Sequence, residues 1–160
     1  MGSKLTAEQV KTEVRRAWQA ISEHDLKTLR CLYGPDAVVF HPSSHRFELG
    51  ALTVVRFERE YSHPECKVSF QLGEIHVLFL GENAEAAVAN YTFELHIKNV
   101  VTPAGLIDRH VVQGRATQVF AYASDGKLKI MSEHRSSAAK RGAPATPPAS
   151  ECIPTSAVPI

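Results

Sequence analysis

Residues 67–97 read KVSFQLGEIHVLFLGENAEAAVANYTFELHI. Apolar side chains alternate at Val68, Phe70 and Leu72, then resume at Ile75, Val77 and Phe79 in the opposite phase. A period of two is the mark of a strand with one buried face. The phase change at Gly73-Glu74 requires one extra residue, which makes a β-bulge and bends the strand. Gly81-Glu82-Asn83 then turns the chain. On the return strand Ala87, Ala89, Tyr91, Phe93, Leu95 and Ile97 share one face, and Ala86, Val88, Asn90, Thr92, Glu94 and His96 share the other. The segment predicts a bent antiparallel sheet, and a bent sheet needs an element to fill its hollow.

The amino-terminal segment supplies that element. Thr6 and Gln9 form a capping box, and Leu5 and Val10 are spaced for a hydrophobic staple. Val10, Val14, Ala17, Trp18 and Ile21 then recur at helical spacing, with Lys11, Arg15, Arg16 and Gln19 on the wet side. Glu23-His24-Asp25 breaks this helix. Asp25 caps a second, short helix carrying Leu26, Leu29, Leu32 and Tyr33, and Gly34-Pro35 ends it. Residues 37–40, AVVF, predict a short strand, and HPSSH (41–45) a turn. A third helix is expected after Gly50, using Leu52, Val55 and Phe57 and ending near Tyr61.

Beyond the hairpin, TPAG (102–105) is a loop and a long strand is expected from Ile107 to Tyr122. Asp125-Gly126 turns it into a last strand, SDGKLKIMSEHRSS (124–137), which closes on Glu133, His134 and Arg135. The result is an α+β domain over residues 5–138, a curved antiparallel sheet wrapped around the long first helix. Residues 139–160 are rich in Pro, Ala and Ser without periodicity and are expected to be disordered. Residues 1–4 read as a remnant of an expression vector, although MGSKLT formally matches an N-myristoylation signal at Gly2.

The 160 residues carry a net charge of +1, and 44% are apolar. The basic residues are scattered in sequence without interleaved aromatics, so neither nucleic acid nor a membrane surface is expected as a partner. No apolar run is long enough to span a bilayer. Three widely spaced cysteines, Cys31, Cys66 and Cys152, give no disulfide framework. They point to a reducing, cytoplasmic setting with Cys31 as a buried small side chain. Asn90-Tyr91-Thr92 matches a glycosylation pattern but falls inside a predicted strand.

Eight histidines are present, yet none forms a tight metal-binding pair on a helix, so no metal is expected. The chain has no Gly-rich phosphate loop and no nucleophile elbow, and no cofactor is expected. The mouth of a curved sheet is where chemistry would sit. Candidate pocket or ion-pair residues are Arg135, Glu94, His134, Gln118, Thr92 and Tyr91. One arrangement has Glu94 or His134 as a general base, with Arg135 or Tyr91 stabilising negative charge. The other has Arg135 bound to Glu94 or another carboxylate as an internal brace. The second reading is favoured, with no catalytic residue assigned.

Several stretches, in order, carry a family resemblance: QAISEHDLKTL, FHPSSHRFELG, VRFERE, EIHVLFLGENAEAAVANY and SDGKLKIMSEHRSS. The chain resembles the cystatin-like cone, or nuclear transport factor 2-like, superfamily, over roughly residues 8–138. Within it, the chain is most similar to the association (hub) domain of calcium/calmodulin-dependent protein kinase II. The hub domain has a similar bend between helices, an F-x-P after the first strand and an ending in DGKW…HRS; here Leu128 replaces the Trp.

The resemblance implies a non-catalytic assembly domain, with subunits in two stacked rings of about twelve or more copies holding Ser/Thr kinase domains together. It also implies a small carboxylate ligand held by arginines at the cone mouth. Only Arg135 matches those arginines; Gln118 and Thr92 stand where the other two would be. That departure points to an internal ion pair for Arg135. The same superfamily includes SnoaL-like isomerases, cyclases and hydrolases with a carboxylate base in the cone, which is the alternative function.

Overall fold

The computed structural model describes residues 4–42 and 46–137. The order is α1 (Ala7–Glu23), α2 (Leu26–Leu32), β1 (Tyr33–Phe40), β2 (Phe47–Leu49), α3 (Gly50–Glu60), β3 (Lys67–Leu72), β4 (His76–Leu80), β5 (Ala86–Thr102), β6 (Gly105–Tyr122) and β7 (Leu128–Ser137). One sheet runs β2-β1-β7-β6-β5-β3, with β4 also on the free side of β5. All neighbours are antiparallel except β1 and β7.

The bulge read from the sequence is in place. Leu72 pairs with Phe93 and His76 with Asn90, so three residues (Gly73 to Ile75) face two (Tyr91 and Thr92). Gly73 N donates to Thr92 O at 2.9 Å. A Cβ on Gly73 would lie 2.3 Å from Thr92 Oγ1, so only glycine allows the strand to bend this close to its partner.

The first helix lies in the hollow. Thr6 Oγ1 accepts from Gln9 N (3.3 Å) and Gln9 Oε1 accepts from Thr6 N (2.9 Å), which closes the capping box. At the other end His24 takes a left-handed conformation (φ 57°), and Asp25 Oδ1 accepts from Thr28 N to start α2. Val10, Val14, Ala17, Trp18 and Ile21 are fully buried against the sheet. The Trp18 ring stands 5.0 Å from Phe93, 5.7 Å from Phe70 and 6.5 Å from Tyr91, between centroids. Of β5, the whole expected face from Ala87 to Ile97 is buried.

Several expectations differ. Strand β1 begins at Tyr33, and its pairing with β7 is irregular between Tyr33 and Val38, around Gly34-Pro35. Strand β2 was not anticipated; Phe40 pairs antiparallel with Phe47, and of the expected turn HPSSH residues 43–45 lie outside the described residues. Helix α3 buries Thr53, Val54, Arg56 and Phe57, while Leu52 (58%) and Val55 (54%) are exposed. Glu48 and Glu60 pull Arg56 inward, at 2.9 and 3.1 Å, and this rotates the helix away from the expected stripe. Phe79 is exposed, since β4 lies at the sheet margin. Cys31 is exposed and Cys66 is the buried thiol. The expectations for residues 1–3, 139–160 and Cys152 fall outside the described residues.

Candidate functional site

Alternation on β7 turns Glu133 and Arg135 into the cone. Gln118 stands opposite Glu133 on β6, and Tyr33 comes in from the start of β1. All four are buried: Glu133 is 1% and Arg135 4% exposed. Arg135 Nε lies 2.7 Å from Glu133 Oε1, an ion pair whose angle is not that of a hydrogen bond. Glu133 Oε2 accepts from Tyr33 OH at 2.9 Å and from Gln118 Nε2. Arg135 Nη2 donates to Tyr33 OH at 3.2 Å, so the tyrosine hydroxyl bridges acid and base. The guanidinium carbon sits 4.8 Å above the Trp18 ring and 5.7 Å from Phe57. Trp18 Nε1 donates to Tyr91 OH at 2.9 Å.

Electrostatics follow from this enclosure. Burial, followed by the Glu133 charge, raises the Tyr33 phenol well above its ordinary value. Tyr91 is raised by the same two causes in the same order, and Tyr61 by burial followed by Glu60. Burial alone would lower the Arg135 pKa; the charge of Glu133 and the nearby tyrosines outweigh it and hold Arg135 above its ordinary value. The cluster is therefore an acid–base brace held by its ion pair, with Gln118 Oε1, Glu133 Oε1 and Arg135 Nε left without a hydrogen-bond partner among the described residues.

Half-buried His41 feels the same cluster. Its imidazole is pushed down from 6.5 to about 3 by burial, with Arg56 and Arg135 adding. Between those values the unfolded chain binds more protons than the folded one. Stability is thus expected to fall as pH drops from about 6.5 toward 3, by at most ~1.4 kcal/mol per unit. Replacing His41 with Gln should flatten that slope in urea midpoints taken at pH 7 and pH 5. An equal slope in both proteins would mean that His41 titrates freely.

The remaining candidates stand on the other side of the sheet. Tyr91 and Gln118 point inward with Arg135, but Thr92, Glu94 and His134 point outward. The odd-numbered β5 residues fill the core, so even-numbered Glu94 cannot reach Arg135; the carboxylate that does is Glu133. Glu94 instead pairs with His96 and accepts from Gln113. His134 lies edge-on to Phe40, 5.9 Å between centroids. Thr92 floors an outer groove of about 600 Å³ with Gln71, Gly73, Glu94, Gln113 and Arg115. Glu94 and His134 therefore stand on the opposite face of the sheet from Arg135. Glu133 was legible as sharing parity with Arg135 but was not among the candidate residues.

Among the described residues no group of three or more His, Cys, Asp or Glu could hold a metal ion. No described helix is long and apolar enough to cross a membrane.

Comparison with solved structures gives the same fold. The association domain of calcium/calmodulin-dependent protein kinase II from C. elegans superposes with a TM-score of 0.59 at 21% identity, covering 81% of this chain and 94% of that one. A nuclear transport factor 2-like superfamily protein from Salmonella enterica gives 0.64 at 20% identity, covering 86% and 94%. A candidate dehydratase of the nuclear transport factor 2-like family from Streptomyces avermitilis gives 0.63 at 19% identity, covering 82% and 95%. At these identities the likeness is one of fold. No curated protein sequence matches the chain. The sequence profile of the SnoaL-like domain matches residues 10–140, and it is to this family, with its nuclear transport factor 2-like cone, that the chain belongs.

Proposed function

We propose that the domain is a non-catalytic association hub whose copies join into a large ring, of about ten or more subunits, of the kind that gathers kinase domains. The observation that carries this reading is an apolar patch three strands wide on the outer face of the sheet. Leu78 stands opposite Val88, and Val88 opposite Val119; Leu80 stands opposite Ala86, and Ala86 opposite Ala121. Leu78 is 61% and Leu80 47% exposed. Patches of this kind mark association surfaces, and small residues at the centre let a second sheet approach to about 10 Å. The cone interior supports the same reading: Glu133, the one buried carboxylate among the described residues, is engaged by Arg135, Tyr33 and Gln118. The arrangement leaves no unpaired carboxylate among the described buried residues.

Native mass spectrometry tests the proposal. The intact protein should run as a particle of about ten or more subunits, and Val88→Glu should break it into small, folded species. A monomer or dimer at micromolar concentration would overturn the hub.

A second reading, turnover of a small molecule in the cone, draws on Gln118 Oε1, a buried acceptor without a partner among the described residues. It requires an activity on some screened substrate that Glu133→Gln abolishes while the protein stays folded.

A further inference from the structure

Basic residues scattered in sequence are brought together by strand register. Lys67 on β3 stands opposite Lys98 on β5, and Lys98 stands opposite Arg109 on β6. All three are exposed, and none makes an ion pair with a described residue. The whole chain carries only +1, so this row is a local concentration of charge. Like charges on facing strands repel, and the row gains stability when an anion lies along it.

The row ends at an open edge. Strand β7 stops at Ser137 opposite Gly114, so residues 105–113 of β6 have β5 on one side and no described strand on the other. Such an edge offers unpaired N–H and C=O groups to another strand. Ile107 and Val111, both exposed, flank Arg109 two residues away.

We propose that the β6 edge binds an extended acidic segment of another protein, which adds to the sheet as a strand. The segment places a carboxylate opposite Arg109, in line with Lys98 one strand further on, with apolar side chains two residues to either side, against Ile107 and Val111. This site is separate from the apolar patch and does not depend on the hub reading. The chain's own continuation matches the edge poorly. Extending the β6–β7 register would set Gly142 opposite Arg109 and Pro144 opposite Ile107, and Lys140 and Arg141 would add positive charge. A second copy matches no better, because the two-fold register that joins Ile107 to Val111 sets Arg109 against Arg109 and doubles the basic row.

The test uses the full chain and a labelled peptide of about twelve residues centred on Val-Thr-Glu-Thr-Val, followed by fluorescence anisotropy at low salt. Saturable binding that weakens with salt is expected, with slowed backbone hydrogen exchange over residues 105–113. The Arg109→Glu variant should bind this peptide about tenfold or more weakly and should gain affinity for the Val-Thr-Lys-Thr-Val version. That reversal cannot come from misfolding. Equal binding of both peptides by the wild type, or protection only outside 105–113, would overturn the proposal. So would binding that appears only after residues 138–160 are removed, a change in particle mass in Arg109→Glu, or preference for a single-stranded oligonucleotide of matched charge.

Discussion

Arg135→Ala is expected to lower the unfolding free energy by about 3–5 kcal/mol, because it leaves the Glu133 carboxylate charged and enclosed. The same change removes a donor from Tyr33 and the cation from the Trp18 face. A domain of this size should then melt roughly 10 °C lower or more. Urea denaturation followed by far-ultraviolet circular dichroism measures the effect. The companion Glu133→Gln, Arg135→Met double variant should recover much of the loss, since neutral groups of similar size replace both charges. If Arg135→Ala unfolded at the wild-type midpoint, the pair would be solvated and the brace wrong. If the double variant were worse than the sum of the singles, each residue would be holding something other than the other.

Trp18→Ala should be similarly severe, about 3–5 kcal/mol from the cavity alone. Trp18 is fully buried at the centre of the hollow, touching Phe70, Tyr91 and Phe93, and it lies under Arg135. Its removal also strips Tyr91 OH of its donor. Trp18→Phe keeps a ring against the sheet and loses the N–H, so it should fall between, at roughly 1–3 kcal/mol. Because Trp18 is the only tryptophan, circular dichroism rather than fluorescence must follow these variants. A Trp18→Ala protein of near wild-type stability would place the helix away from the sheet and undo the account of the fold.

The elements that could be read from the chain are those in which local chemistry and tertiary burial agree. Thr6 and Gln9 cap α1 by contacts only three residues apart, and the helix stripe ending in Trp18 and Ile21 is continuous. The Gly73-Glu74 phase change forces a bulge whatever the partner strand is. Helix α3 forms where expected and buries Phe57, but Leu52 and Val55 stay out while Arg56 goes in with Glu48 and Glu60, a choice of face made by an ion pair and not by hydrophobicity.

The site was harder to read for the same kind of reason. Glu94 looked like a partner for Arg135, although Tyr91 and Phe93 on the same strand already marked the odd-numbered face as the inner one. Parity along β5 was enough to exclude Glu94, and parity along β7 was enough to select Glu133 beside Arg135.

Taken alone, the order of residues determined the curvature of the sheet and the helix that fills it, and it set Glu133 and Arg135 at one parity on β7 without pairing them, because each depends on spacing within a few residues. Which β6 and β1 residues meet that pair, and which lysines fall into one row beside Arg109, only the tertiary structure decided. Those contacts depend on strand register. Register is set by a bulge, two turns and the packing of Trp18 acting together, and no single stretch of the chain contains all of them.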